Sequence, residues 1–441
     1  MAKRRNRERD DIDDDEDDRE TVLFQGAMNG EDANLSANAR LARAGLVPSK
    51  QLVSNALDRR AEVILMEPKG NATLVRFVVD GVAYPGARLP RPQGLAVTQM
   101  LKLLAGLDIQ QRKRPQSGGI NAEMKGTRYQ LFVESTPVAE GAERLALRAK
   151  NLDVDIETPA GAGFPDELRR KIRELSSTGS GAILVCGPPH SGTTTTAYAT
   201  LRTIDAYMQT IYSIADMHGR DIIHITPFEI DPENSFTETI DRVARVEADV
   251  LFCDPIRNAE TARNYFEAQK RLVILAEFTA KDAAAGIVQL CQWMGDPTSV
   301  AEGLRGIISH KLVRLLCKDC KNAFRPNPKL LQRIGLPPET KTLFRATFVD
   351  PRRRPRDDED EKFDEPCAKC NGIGFLGRTG LFELIDMTDP MKELISNNPN
   401  MADIKKLARS EGMMTLQKAG LDLVARGRTS LEELQRAFKP S

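Results

Sequence analysis

The sequence predicts an α/β protein: an N-terminal α+β domain, then a doubly wound, largely parallel sheet, then a cysteine-bearing helical part. Three observations carry this. From Phe164 onward, amphipathic helical stretches alternate with short apolar runs, the pattern of strands crossed over by helices. The first of those runs, GAILVC from Gly181 to Cys186, leads directly into the glycine-framed loop GPPHSGTTTT at 187–196 and a following helix. Two Cys-x-x-Cys pairs, Cys317/Cys320 and Cys367/Cys370, come after the alternating region.

The elements follow in chain order. Residues 1 to 20 set a basic block against an acidic block with almost nothing apolar to bury, so a disordered charged tail is expected, extending to about residue 40. Its plain reading is a solvated arm; the alternative is a docking peptide. Pro48 to Arg60 carries Leu52, Val53, Ala56 and Leu57 at helical spacing, with Ser49 as the expected N-cap. Glu62–Glu67 and Thr73–Val79 read as strands around the turn Lys69-Gly70-Asn71, and Asp80-Gly81 closes the second. A helix over Leu95–Leu104 and strands over Tyr129–Ser135 and Leu145–Ala149 complete an α+β domain at 45–150. Helices are then expected at 165–177, 193–205, 259–270 and 280–293, and strands at 181–186, 210–215, 249–253 and 272–277. That region spans 160–316. A four-cysteine subdomain follows at 317–385, with a charged, disordered insert at 350–366, and a helical subdomain at 386–438.

Composition narrows the function classes. Sixty-three basic residues balance sixty-three acidic ones, so net charge steers the chain neither to nucleic acid nor to an anionic membrane. No apolar run of about 18 residues or more is present, and the N-terminus lacks a signal-peptide core, so a cytoplasmic protein is expected. Seven cysteines in a reducing compartment point to metal ligation rather than disulfides for the paired ones. Cys186, Cys253, Cys291 and Trp293 lie on apolar patterns and read as core residues.

The loop meets the frame of a phosphate-binding loop at Gly187, Gly192 and Thr194, with Pro188, Ser191 and Thr195 in the same turn. Such a loop aims backbone N–H groups and a helix N-terminus at phosphates while a lysine neutralises their oxygens. Thr193 stands at the lysine position and brings no charge, and Pro189 removes an amide donor.

The blocks AEVILMEP (61–68), VRFVVDG (75–81), LKLLAGLDIQQRKRPQSGG (101–119), GPPHSGTTTTAYA (187–199), DPIRNAETA (254–262), SHKLVRLLCKDC (309–320), CAKCNGIGFLGRTGLFELI (367–385) and ARSEGMMTLQKAGLDLVARGRTSLEEL (408–434) occur in the order of a known family. Over about residues 45 to 437 the chain resembles the ATPases of type II secretion and type IV pilus assembly, the GspE/PulE/PilB group. The resemblance implies a RecA-like P-loop domain after the α+β domain, a zinc site on the four cysteines, and hexameric assembly with nucleotide between subunits.

Set against that family, the site residues have changed. Beside Thr193, Ala215 replaces the glutamate of a Glu-Asp-Pro segment, Pro255 stands where the Walker B glutamate is expected, and Phe278 aligns with the histidine of the next strand. His190 sets a Cβ where the family has glycine. Val78 and Phe132 align with first-domain arginines, while Arg76, Arg112, Arg114 and Arg257 persist. Asp254, one residue from the glutamate position, is not an automatic substitute, although at the strand end it retains a route to Mg²⁺. Several phosphoryl-transfer groups are lost together, and they act as a unit.

The resemblance therefore implies a non-hydrolysing family member with Mg-ATP binding weak or absent. Zinc would sit on Cys317, Cys320, Cys367 and Cys370. Its partners would be copies of itself or an active paralogue in a ring, and inner-membrane platform proteins, with the chain peripheral to the inner face of the cytoplasmic membrane. The competing readings are a motor working through displaced residues and a nucleic-acid-binding zinc protein. Neutral charge and the absence of an aromatic-basic pattern oppose the latter.

Overall fold

The computed structural model describes residues 21–138, 141–189, 191–217, 222–231, 233–349 and 365–439. The expected tail at 1–20, His190 and nearly all of the 350–366 insert lie outside the described residues. The chain divides after Val154 into two compact units.

The first unit contains β1 (Leu23–Ala27), α1 (Ala39–Asp58), β2 (Val63–Lys69), β3 (Ala72–Val79), β4 (Val82–Pro90), α2 (Arg91–Leu104), β5 (Gln116–Met124), β6 (Thr127–Pro137) and β7 (Glu143–Asn151). Its strands form one sheet in the order β1-β5-β6-β7-β2-β3-β4, every neighbouring pair antiparallel. Two expectations are corrected here. The disordered tail does not reach residue 40, because Leu23–Ala27 pair with β5 and the buried Val22 donates its N–H to Ser54 Oγ at 2.9 Å. Ser49 is not an N-cap either. The helix starts ten residues earlier and runs through Pro48, leaving Ser49 fully buried. Burial of Leu52, Val53, Ala56 and Leu57 outweighs the roughly 3 kcal/mol that an internal proline costs a helix.

The second unit contains α3 (Pro159–Ala162), α4 (Asp166–Ser176), β8 (Gly181–Gly187), α5 (Thr193–Leu201), β9 (Ile211–Ser213), β10 (Ile225–Pro227), α6 (Phe236–Arg245), β11 (Val250–Phe252), α7 (Ala259–Ala268), β12 (Val273–Thr279), α8 (Ala283–Met294), α9 (Pro297–Gly303), β13 (Leu304–Leu316), β14 (Asn322–Phe324), α10 (Pro328–Ile334), β15 (Leu343–Arg345), β16 (Phe375–Asp386), α11 (Asp389–Asn397), α12 (Met401–Ser410), α13 (Leu416–Ala425) and α14 (Leu431–Phe438). The central sheet runs β10-β9-β11-β12-β8-β13-β16, parallel throughout except for the antiparallel edge strand β16. Both faces are covered, so the strands read as nearly unbroken apolar runs. Ile183, Val185, Val273, Leu275, Val250 and Phe252 pack toward α4 and α5, and their alternates Ala182, Leu184, Cys186, Ile274 and Leu251 toward α7, α8 and α9.

The expected separation of a zinc subdomain from the P-loop domain changes in one respect. β16, placed by sequence inside the subdomain, is a strand of the central sheet, zipped to β13 from Gly306↔Asp386 to Leu316↔Phe375. The two cysteine pairs lie beyond the shared end of that pair. β10 and α6 occupy a stretch where no element was expected; a capping box at Ser235 and Glu238 starts α6. Among the described residues, no helix is long and apolar enough to cross a membrane.

Candidate functional site

The phosphate-loop frame forms where the sequence puts it, at the carboxyl end of β8. Gly187 is the last residue of the strand and Gly192 turns the chain into α5 with a left-handed φ of 95°, a conformation glycine adopts without strain. The loop is held from below by the Ala280 N–H, which donates to the Gly187 carbonyl at 3.1 Å. Pro188 begins a turn closed by the Ser191 N–H on its carbonyl at 3.2 Å, so that amide is committed inside the loop.

The side chains are engaged as well. Ser191 Oγ and Thr193 Oγ1 are 3.1 Å apart, both lying over Gly187, where a Cβ would come within 2.5 and 2.7 Å of them. Thr194 Oγ1 donates to Glu277 Oε1 at 2.8 Å. Thr195 is half-buried in the first turn of α5.

Two residues beside the loop were not anticipated from the motif. Glu277 sits on β12 and His310 on β13, the two strands that flank β8, and both face the α5 side. Glu277 is 8% exposed and His310 2% exposed. The signal available in sequence was a charged residue inside the otherwise apolar run VILAEFT, since such residues are seldom buried without a partner.

The His310 Nε2–H donates to the Ser191 carbonyl at 3.0 Å, which assigns the proton to Nε2 because a carbonyl only accepts. Nδ1 is buried with no hydrogen-bond partner among the described residues, and the ring lies 6.2 Å from Phe382. Burial lowers the His310 pKa, and the Ser191 carbonyl only partly opposes that shift. The unfolded chain thus takes up a proton that the folded chain refuses. His310's contribution to stability is complete above about pH 6.5 and is lost as the pH falls below that toward the depressed folded value. His310→Gln should therefore flatten the dependence of Tm on pH between about 6.5 and 5; parallel curves for the two proteins would show that no such linkage operates.

The remaining expected positions are placed differently. Phe278 is a correction: it points to the opposite face of β12, 2% exposed, against Gly286 of α8 and 6.1 Å from Trp293. Strand alternation puts Glu277, not residue 278, toward the loop, so a histidine at 278 would lie in the core. Asp254 is exposed at the end of β11, where Oδ1 accepts the Asp216 N–H at 3.1 Å and its carbonyl accepts from the Tyr265 hydroxyl at 3.0 Å. It ties two strand ends together. Pro255 follows it, half-buried, and Arg257 is exposed two residues on. Ala215 packs at the rim of the α5-side core, its N–H accepted by Ser213 Oγ at 3.2 Å. In the first unit, Arg76 is engaged by Glu67 at 2.6 Å.

The four cysteines converge. The sulfurs of Cys317, Cys320, Cys367 and Cys370 all lie within 4.8 Å of one another. The Cys317–Cys367 and Cys320–Cys370 separations are 3.9 and 3.5 Å, close to the about 3.8 Å edge of a tetrahedron with Zn–S bonds of about 2.3 Å. The second knuckle turns through Asn371 and Gly372, with φ of 53° and 74°, and a Cβ at Gly372 would strike the Val349 carbonyl oxygen at 2.0 Å. The Gly374 N–H donates to Cys370 Sγ at 3.2 Å, a second-layer contact typical of a thiolate ligand. The backbone N–H groups of Cys370 and Lys369 help hold the Cys367 thiol below its ordinary pKa. The donor set and its spacing fit zinc, which these four residues would hold in a closed site.

A family model described as a type II/IV secretion system protein matches residues 44–436. The chain is 27% identical over 391 residues to the type IV pilus assembly ATPase PilB of Thermus thermophilus, covering 87% of this chain and 42% of that protein. It is 28% identical over 388 residues to the type II secretion system protein E of Xanthomonas campestris, covering 87% and 66%. With the type II secretion system ATPase E of Vibrio cholerae it shares 28% identity over 394 residues, covering 88% and 74%. The chain thus spans less than half of the first relative and about two thirds of the second. Among solved structures, the ATPase DotB of Yersinia pseudotuberculosis superposes with a TM-score of 0.56 over 88% of this chain and 92% of that one. DotB of Legionella pneumophila gives 0.53 over 89% and 95%. Both are 14% identical to the chain, a level at which the likeness is one of fold.

Proposed function

The chain belongs to the type II/IV secretion system protein family, and from that premise we propose that it is a non-hydrolysing subunit of a type II secretion or type IV pilus assembly system, retained for structure or regulation. One observation carries the reading. The loop has no cation at Thr193, and its hydroxyls are bonded to one another and to a carboxylate instead of being left open for phosphate and Mg²⁺. Pro255 at the glutamate position and the use of Asp254 as a strand tie leave the attacking water without an obvious base. The chain would work in the cytoplasm, peripheral to the membrane, docked on platform proteins and in a ring with copies of itself or a catalytic paralogue. A second reading, a slow motor, rests on Glu277 and Asp254, two acids near the carboxyl edge of the sheet.

Phosphate release by the purified chain with Mg-ATP should not exceed that of the Asp254→Ala variant. Turnover of about one per second, the low end for enzymes, that disappears in that variant would support the motor instead. Mg-ATP should bind more weakly than about 100 μM, since loss of a charge-assisted contact of about 1.5–3 kcal/mol removes one to two decades of affinity.

A further inference from the structure

We propose that Lys102 is a positioning residue which, braced by Glu143, holds the loop between α2 and β5 in one conformation, so that Arg112, Lys113 and Arg114 stand ready as a cationic edge. The proposal concerns the first unit and does not depend on whether the chain turns over nucleotide. From Asp108 to Pro115 the loop belongs to no helix or strand; Arg112 is half-buried, and Lys113 and Arg114 are exposed. Among the described residues, no ion pair holds any of the three side chains. Adjacent cations repel one another, so a loop that carries them without an acid at hand needs its backbone fixed from elsewhere.

The fixed point is the Gln111 carbonyl, on the residue just before Arg112. It accepts from Lys102 Nζ at 2.8 Å and from Gln116 Nε2 at 2.7 Å. Lys102 lies in the last turn of α2 and is fully buried. Its Nζ also donates to Glu143 Oε1 at 2.6 Å, where Ser135 Oγ donates at 2.7 Å. One nitrogen thus ties the loop to α2 and, through Glu143 and Ser135, to β7 and β6. Gln116 closes the loop on itself, since its Oε1 accepts the Asp108 N–H at 3.0 Å and its Nε2 donates to the Asp108 carbonyl at 3.0 Å. Replacing a buried ion pair with uncharged residues of similar size often costs little stability; what the pair supplies here is a single loop conformation. A loop already ordered offers its charges to an anionic group without the entropy cost of fixing them on contact.

The experiment follows amide hydrogen exchange in the full chain, peptide by peptide. In the native protein the amides of residues 108–113 should be protected well beyond the free-peptide rate, although they lie outside any helix or strand. Lys102→Met combined with Glu143→Gln removes the anchor but leaves the Gln111 carbonyl to Gln116 and leaves Ser135 an acceptor. Exchange over 108–113 should then rise about tenfold, the worth of one buried hydrogen bond, with Tm and the exchange of β6 and β7 little changed. Trypsin, which cleaves after Arg112 and Lys113 but not between Arg114 and Pro115, should cut the loop faster by a similar factor. Unchanged exchange and cleavage overturn the proposal. An equal rise across β6 and β7 with a lowered Tm also overturns it, and would make the pair an ordinary part of the core. Should the double variant not fold, the native chain decides: protection over 108–113 supports the anchor, and exchange there at the free-peptide rate overturns it.

Discussion

Metal analysis of the purified chain should return about one zinc per polypeptide, and stripping it should loosen residues 317–374 while the sheet around β8 stays folded. The four sulfurs are already gathered within 4.8 Å, yet little apolar surface holds the knuckles together. From the described chain between them, Leu331, Leu336 and Leu343 join the core formed with α13 and α14, with Phe324 and Ile334 partly buried against it. Structural zinc contributes on the order of 10 kcal/mol to such sites, a term comparable to everything those side chains supply together. Cys367→Ser should bring the same loosening, seen as rapid proteolysis in 317–374 with β8 still protected from hydrogen exchange. Negligible metal, or protease resistance unaltered in Cys367→Ser, would show that the knuckles stand on packing alone.

The second large effect is expected at Glu433. Its carboxylate is fully buried and gathers five donors. From Arg314, the backbone N–H reaches Oε1 at 3.0 Å, and Nε and Nη2 reach Oε2 at 2.9 and 2.7 Å. Arg436 adds Nε and Nη2 at 2.8 and 2.7 Å. The Arg314 guanidinium lies 4.0 Å from the centre of the Phe375 ring. Burial alone would raise the Glu433 pKa, but the hydrogen bonds from Arg436 and Arg314 hold it below the usual carboxylate range. Its stabilising contribution is accordingly present above about pH 4.5 and is lost as the pH falls through the lowered folded value. Glu433→Ala removes the buried carboxylate that Arg314 and Arg436 share and should cost about 3–5 kcal/mol, lowering Tm by about 5–15 °C. A loss under about 1 kcal/mol would mean that water replaces the carboxylate readily.

The sequence was most informative where a residue's neighbours along the chain decide its structure. The glycine frame at 187–192, the cysteine knuckles with Asn371-Gly372 and the apolar strands β8, β11 and β12 are local signals, and each forms where expected. At the start of α14, which was not singled out in advance, Ser430 Oγ accepts the Glu433 N–H at 3.2 Å. What could not be read is long-range. Nothing near Glu433 announces Arg314, and nothing near Thr194 announces Glu277, because strand order and facing bring them together. The same cause moved Phe278 from the site to the core: alignment fixes a position along a strand, whereas one step along a strand reverses its face. β16 escaped for a related reason, since its partner β13 lies far back in the chain.

That separation has a consequence for synthesis. In the folded chain Leu304–Ser309 of β13 pair with β8 on one side, while the other edge of the strand is completed by β16, which is made later. Roughly 60 residues must still emerge, which at about 5–20 residues per second takes about 3–12 s. Throughout that interval the nascent chain presents a 13-residue strand with one row of unpaired amides and carbonyls, a template for pairing with neighbouring chains. Lys311 and Arg314 are placed along that strand. In the finished protein one lies against Phe438 and the other bonds Glu433; on an edge that has not yet closed, the same charges would oppose pairing with another chain.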